Sequence, residues 1–231
     1  MTVDVWADVV CPWCAIGDRR LRAAVDRLAA RVPVVVRHRA FELDPGAPRV
    51  WPGDHAGRLA RRYGTSRDRI VATSRHIESL AAAEGIVMRL DLVRPGNTFD
   101  AHRLLRLADE QGCRDRLADR IERAYFAQGE AVGDPGVLAR LAADVGLDAG
   151  EVCRVLEGDA FAEAVRADER AATEREVTGV PHALVDGRLA IPGAQPVETL
   201  VLALERAWAR WHQAAPGAAT GSDAAAGTVP G

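Results

Sequence analysis

A chain of 231 residues, 48% hydrophobic and 27% charged, has material for one large domain, or for a smaller domain carrying an insertion, around a real core. Its net charge of −3 comes without a basic face or an acidic tail, which argues against a nucleic-acid partner. No apolar run approaches the ~18 residues of a membrane span. The start Met1-Thr2-Val3-Asp4-Val5-Trp6 also lacks the cationic and apolar regions of a leader, so a cytoplasmic protein with no membrane partner is expected.

Thr2 to Ala7 alternates and is rich in β-formers, which predicts a strand running through Asp8-Val9-Val10 into Cys11-Pro12-Trp13-Cys14. Leu21, Ala24, Val25, Leu28 and Val32 then recur at helical spacing, predicting an amphipathic helix of about five turns. Val34 to Phe41 reads as a second strand, parallel to the first because a helix separates them. Turn residues follow at Asp44-Pro45-Gly46 and Trp51-Pro52-Gly53. From about Gly57 to Val177 the pattern is helical, with breaks at Gly64, Gly85, Arg94-Pro95-Gly96-Asn97, Gly112, Gly129, Asp134-Pro135-Gly136, Gly146 and Gly158. Asp134 before Pro135 is a helix start, with Val137, Leu138 and Leu141 on its apolar face. Pro181 to Val185 and Arg188 to Ile191 flank Asp186-Gly187, the signature of a β-hairpin. Pro196 opens a last helix with Leu200, Val201, Leu204 and Trp208 on one face.

These elements sum to an α/β fold: a thioredoxin-like domain with a large all-helical insertion between the second and third strands. The expected boundaries are 1–53 with 178–213 for the discontinuous thioredoxin-like part and 54–177 for the insertion. A tail over 214–231, made mostly of Ala, Gly, Ser, Thr and Pro, has nothing to bury and is expected to be disordered.

Four cysteines are too few and too unevenly placed for a stapled secreted fold, so a close pair in a reducing compartment is redox-active or metal-binding. Two cysteines three apart at a helix start lie on one face, within disulfide reach. Pro12 sits where its missing N–H costs nothing. The helix N-terminus stabilises a Cys11 thiolate, lowering its pKa below the free value of ~8.5. A thiolate is the attacking species in disulfide exchange, so Cys11 would form a mixed disulfide and Cys14, shielded by the helix, would resolve it. Pro12 and Trp13 between them would tune that reactivity. A structural zinc site needs four ligands at suitable spacing, and Cys113 and Cys153 stand apart with no finger-like His, so no metal is expected. Each of those two cysteines reads as a small buried hydrophobe in a helix. Pro181 by itself reads as an ordinary proline at a strand entry.

Cys11-Pro12-Trp13-Cys14, Gly179-Val180-Pro181 and Gly193-Ala194-Gln195-Pro196 together resemble the DsbA-like thioredoxin superfamily, and most of all its cytoplasmic FrnE-type branch of disulfide oxidoreductases. Phe41-Glu42-Leu43-Asp44-Pro45, Asn97-Thr98-Phe99-Asp100-Ala101-His102-Arg103-Leu104, Ala124-Tyr125-Phe126 and Gly146-Leu147-Asp148 extend the resemblance over roughly residues 3 to 208. It implies dithiol–disulfide activity at Cys11 and Cys14 with no cofactor beyond the cysteine pair, glutathione being a candidate co-substrate. It also implies Pro181 as a cis-proline, Val180 as a backbone partner for an extended substrate, and Asn97 and His102 near the groove. Protein or small-molecule thiols and disulfides are the implied partners. His182-Ala183 departs from the apolar pair that usually follows the cis-proline, and places His182 where it could tune the thiolate if Pro181 aims that strand at Cys11. Two other readings stand beside this one. A glutathione-dependent isomerase or transferase of the 2-hydroxychromene-2-carboxylate isomerase or kappa-class type typically carries Ser in place of a cysteine here. A redox-sensing module would oxidise once without turnover.

Overall fold

In a computed structural model, which describes residues 1–212, β1 (Thr2–Ala7), α1 (Pro12–Leu28) and β2 (Val35–Ala40) form the expected strand–helix–strand unit. Seven helices follow before the next strand: α2 (His55–Tyr63), α3 (Arg67–Ala83), α4 (Phe99–Glu110), α5 (Arg114–Glu122), α6 (Pro135–Asp144), α7 (Ala149–Glu157) and α8 (Ala162–Glu174). A hairpin of β3 (His182–Val185) and β4 (Leu189–Pro192) and the helix α9 (Val197–Trp211) complete the described part. The expected tail over 214–231 lies outside the described residues.

The sheet runs in the order β2-β1-β3-β4. β1 and β2 are parallel, with Thr2 opposite Val35 and Ala7 opposite Ala40. β3 runs antiparallel to β1, placing His182 opposite Trp6. Asp186 and Gly187 both take positive φ, 47° and 68°, which is what a tight hairpin between right-twisted strands requires. Period-two alternation divides the sheet residues between two cores. Val3, Val5, Ala183, Val185 and Ile191 pack against Leu21, Ala24 and Leu28 of α1 and Leu200 and Leu204 of α9. Trp6 looks the other way, toward Ala172 and Val177.

The helical region has a separate core built from α3 to α7, and Val9, Ala15 and Ile16 belong to that core. α1 therefore enters in one core and continues in the other, and the two meet at its first turn. Buried polar contacts fasten α8 across the sheet. Asp168 accepts from the backbone N–H of Ala40 at 2.8 Å and pairs with Arg39 and Arg106. Its carbonyl accepts from Trp6 Nε1 at 2.9 Å.

Helix boundaries follow the local chemistry. Asp134 caps α6 by accepting from Gly136 and Val137 N–H, as its place before Pro135 anticipated. β2 is one residue shorter at each end than the apolar run suggested, because pairing with β1 stops at Ala7. A π turn over Arg123–Ala127 was not legible, since the local periodicity reads as ordinary helix. Gly133 and Gly96 let the chain pass the Arg49 carbonyl, where a Cβ would stand 2.0 Å and 1.9 Å from its oxygen. Gly133→Ala should therefore cost about 1–3 kcal/mol and lower the melting temperature by about 5 °C. Gly46→Ala, whose Cβ meets nothing within 4 Å, should shift it little when both are followed by thermal unfolding.

Candidate active site

Cys11 occupies the N-cap of α1 in extended conformation, and Pro12 is the first helical residue. The Cys11 carbonyl accepts from the N–H groups of Cys14 and Ala15, while its own N–H donates to the Asp8 carbonyl. This pins the turn from β1 into α1. Both thiols are free, and both cysteines are 4% exposed, so accessibility does not separate them. The space each one faces does.

Cys11 lines a groove of about 440 Å³ between the start of α1 and the helical region, together with Trp13, Trp51, Arg58, Tyr125 and Val180. Its Sγ donates to the Val180 carbonyl at 3.7 Å. The Val180–Pro181 peptide bond is cis. The Pro181 ring rests against α1 at Gly17, where a Cβ would come within 3.0 Å of it. Trp13 is 38% exposed at the rim. The groove is largely apolar and aromatic, with cationic Arg58 and Arg62 set against Asp44. Arg58 lies over the Trp51 ring at 5.2 Å. His55 is pushed down to about 4 by burial and by Arg58, which keeps it neutral near pH 7.

Cys14 lines a different space, a pocket behind the motif whose wall mixes apolar residues with charged ones such as Asp8, Asp18, His102 and Glu122. Burial, and next the neighbouring Cys11, hold its thiol well above the ordinary range and therefore protonated. Asp8 stands between the two spaces and lines both. One of its oxygens accepts from Leu43 N–H at 2.8 Å. The other lies 3.3 Å from His102 Nε2, but their alignment is too poor for a hydrogen bond, and both atoms are buried without a partner.

Asn97 and His102, expected near the groove, do not themselves line it, although Gly96, Thr98 and Asp8 beside them do. Asn97 donates to Glu42 at 2.8 Å and to the Pro45 carbonyl at 3.3 Å, and accepts from Phe99 N–H; its polar atoms are occupied bracing the entry to α4. His102 is turned inward by the helical period and faces Asp8 from behind. His182 is likewise not at the thiols. The register sets it against Trp6, with the rings 6.2 Å apart, on the sheet face opposite α1. Tyr125 and Asp8 were not singled out as site residues. Tyr125 sits in the π turn, and burial, then the charge of Asp8, push its hydroxyl well above the ordinary range. Only the irregular turn gives it away, since a Tyr in an apolar helical run reads as core. Among the described residues no three His, Cys, Asp or Glu side chains are grouped as metal ligands.

Residues 2–205 match the DSBA-like thioredoxin domain family. The chain belongs to that family. Its fold superposes on a probable DsbA oxidoreductase from Streptomyces coelicolor with a TM-score of 0.86, at 38% identity over 100% of both chains. Two more distant solved structures share the fold. One is a 2-hydroxychromene-2-carboxylate isomerase, at 18% identity and TM-score 0.65 over 91% of this chain and 97% of that one. The other is the cytosolic disulfide reductase DsbM of Pseudomonas aeruginosa, at 19% identity and TM-score 0.61 over 90% and 98%. DsbM has also been solved with GSH. Family members of DsbA type are oxidoreductases, and no described helix here is long and apolar enough to cross a membrane.

Behind the motif, half-buried Glu122 at the end of α5 lines the rear pocket. Burial, with Asp18 and Asp119 nearby, pushes it up to about 8 from 4.5. A carboxyl whose folded pKa is raised favours the fold while neutral. Its contribution is fully present below about pH 4.5 and is lost as pH rises through about 8. Glu122→Gln should remove that slope. The melting temperature of the variant relative to the parent should rise from pH 5 to pH 9, measured by calorimetry across that range.

Proposed function

We propose that this chain is a thiol–disulfide oxidoreductase that works through a mixed disulfide at Cys11, resolved by Cys14. The carrying observation is the division of labour between two thiols of equal exposure. Cys11 opens on the groove at a helix N-terminus, beside the Val180 carbonyl, and Cys14 is closed off behind it. The helix end favours negative charge on Cys11, the requirement for attack. Burial keeps Cys14 a thiol until a mixed disulfide has formed.

Val180 supports substrate alignment. Its carbonyl reaches the Cys11 sulfur, and its side chain lines the same groove, so an extended thiol-bearing segment would lie along it. Pro181, held against Gly17, fixes that loop, and Trp13 forms the apolar rim. The substrates are thiols and disulfides of small molecules or proteins, glutathione among them, a reading supported by the DsbM likeness. No resident cofactor is needed, because the cysteine pair itself carries the two electrons. The complete Cys11–Cys14 pair and the resemblance carried by Phe41-Glu42-Leu43-Asp44-Pro45 favour the FrnE-type branch and a cytoplasmic location. They also favour exchange over the isomerase reading, in which Ser stands at a cysteine position.

Cys11→Ser should abolish turnover in a reductase-coupled disulfide assay, whereas Cys14→Ser should accumulate a stable adduct one substrate thiol heavier by intact mass. Turnover retained by Cys11→Ser would overturn the proposal. A single stoichiometric oxidation without turnover would point to the sensing module instead.

A further inference from the structure

Three large apolar side chains left exposed, Trp13, Leu43 and Tyr63, border the groove over Cys11, and the buried Ile77, Val93 and Phe126 line it as well. With about 440 Å³ between such walls, the groove has the size and character of a small-molecule cleft. Beyond the Val180 carbonyl it offers an extended peptide little to bond. The N–H and C=O groups of a long peptide would lie against apolar surface, where polar groups without partners are costly.

One wall departs from this apolar character. Arg58 and Arg62 stand one turn apart on α2, so they share a face, and both line the groove. A single carboxylate, Asp44, lies 4.0 Å from one and 3.8 Å from the other, the outer limit of an ion pair, which leaves one positive charge over. The groove's other carboxylate, Asp8, holds Leu43 N–H and faces His102. His55 Nδ1 accepts from Arg58 at 3.2 Å, and the Arg58 guanidinium lies over the Trp51 ring. Arg58 Nε and Trp51 Nε1 are nevertheless buried without a hydrogen-bond partner among the described residues. Two unpartnered donors beside an uncompensated charge form a receptor for an anionic oxygen. Tyr125, which feels the charge of both Cys11 and Arg58, stands within reach of the reacting sulfur and of this receptor.

Resting on the exchange reading above, we propose that the preferred substrate is a small disulfide with an aromatic or branched apolar body and one carboxylate, which Arg58, Arg62 and Trp51 receive. The body fills the apolar groove while one sulfur meets Cys11. Attack joins Cys11 Sγ to that sulfur, and the other sulfur leaves with the electron pair of the broken bond as a thiolate.

Stopped-flow mixing of the reduced protein with dithiobis(nitrobenzoate), and with its neutral amide dithiobis(nitrobenzamide), tests this. The two probes share one aromatic body and differ in the carboxylate. Every protein should carry Cys153→Ser, because Cys153 is an exposed free thiol. The first thiolate release is read for each probe and divided by the rate with free mercaptoethanol, and the acid-to-amide ratio is then taken. In the parent this ratio should exceed one by about tenfold, and Arg58→Gln should lower it by about that factor. Arg58→Lys should restore part of it, and Trp51→Phe, which keeps the ring and removes the N–H, should lower it as well. An effect of Arg58 on the Cys11 thiolate alone would slow both probes alike and leave the ratio standing, which would overturn the proposal. A parent ratio of one would do the same. Arg154→Gln, exposed on α7 outside the groove, should keep the parent ratio, and a fall equal to that of Arg58→Gln would reduce the effect to the general field of the protein and defeat the assignment. Phenylbutyrate should slow the amide reaction competitively, and butyrate, with the charge but no ring, should compete at least about tenfold less well. Equal competition by the two acids would rule out the apolar part of the site. Absence of the first release with both probes would instead sink the exchange reading itself.

Discussion

The structure depends on one buried carboxylate that joins its two parts. Asp168 of α8 takes the free N–H of Ala40 at the end of β2 and pairs with Arg39 of β2 and Arg106 of α4. A carboxylate withdrawn from water is tolerated only when its oxygens are matched in this way. Its own carbonyl meanwhile holds the Trp6 indole of β1. One residue thus binds the last helix of the insertion to two strands and to α4.

The cysteine motif stands where the two cores meet. Ala15 and Ile16 are packed into the helical core, and Leu21, Ala24 and Leu28 into the sheet core. The end of the first turn of α1 and the turns that follow it are held by dense packing, and interiors of that kind transmit displacement rather than absorb it. Gly17 adds a further constraint, since its missing side chain lets the Pro181 ring lie on the helix. Cys11, Val180 and the first turn are consequently placed by three separate contacts. None of them is made by the loop residues alone.

The groove and the rear pocket differ in character as well as position. The groove is lined largely by apolar and aromatic side chains, whereas the rear pocket mixes apolar side chains with carboxylates, arginines and histidines. Asp8 links them, and its charge reaches both Cys14 and Tyr125.

The sequence by itself determined the parts that depend on neighbours along the chain. The strands and helices follow from periods of two and 3.6, the hairpin from Asp186-Gly187, the α6 start from Asp134, and the dithiol from two cysteines at a helix N-terminus. The parallel β1–β2 pair was also legible, because an intervening helix leaves a crossover as the connection. Only the tertiary structure decided which residues separated in sequence share a space. Asn97 and His102, both expected near the groove, are placed by tertiary contacts, Asn97 bonding Glu42 and His102 facing Asp8 from behind. His182 is carried to the far face by strand register, where a shift of one residue reverses every side chain. Tyr125 and Glu122, from the middle of the insertion, line the groove and the rear pocket respectively. Nothing in their local pattern distinguishes a helix residue that lines the groove or the rear pocket from one that faces the core, and that difference is set by packing between elements.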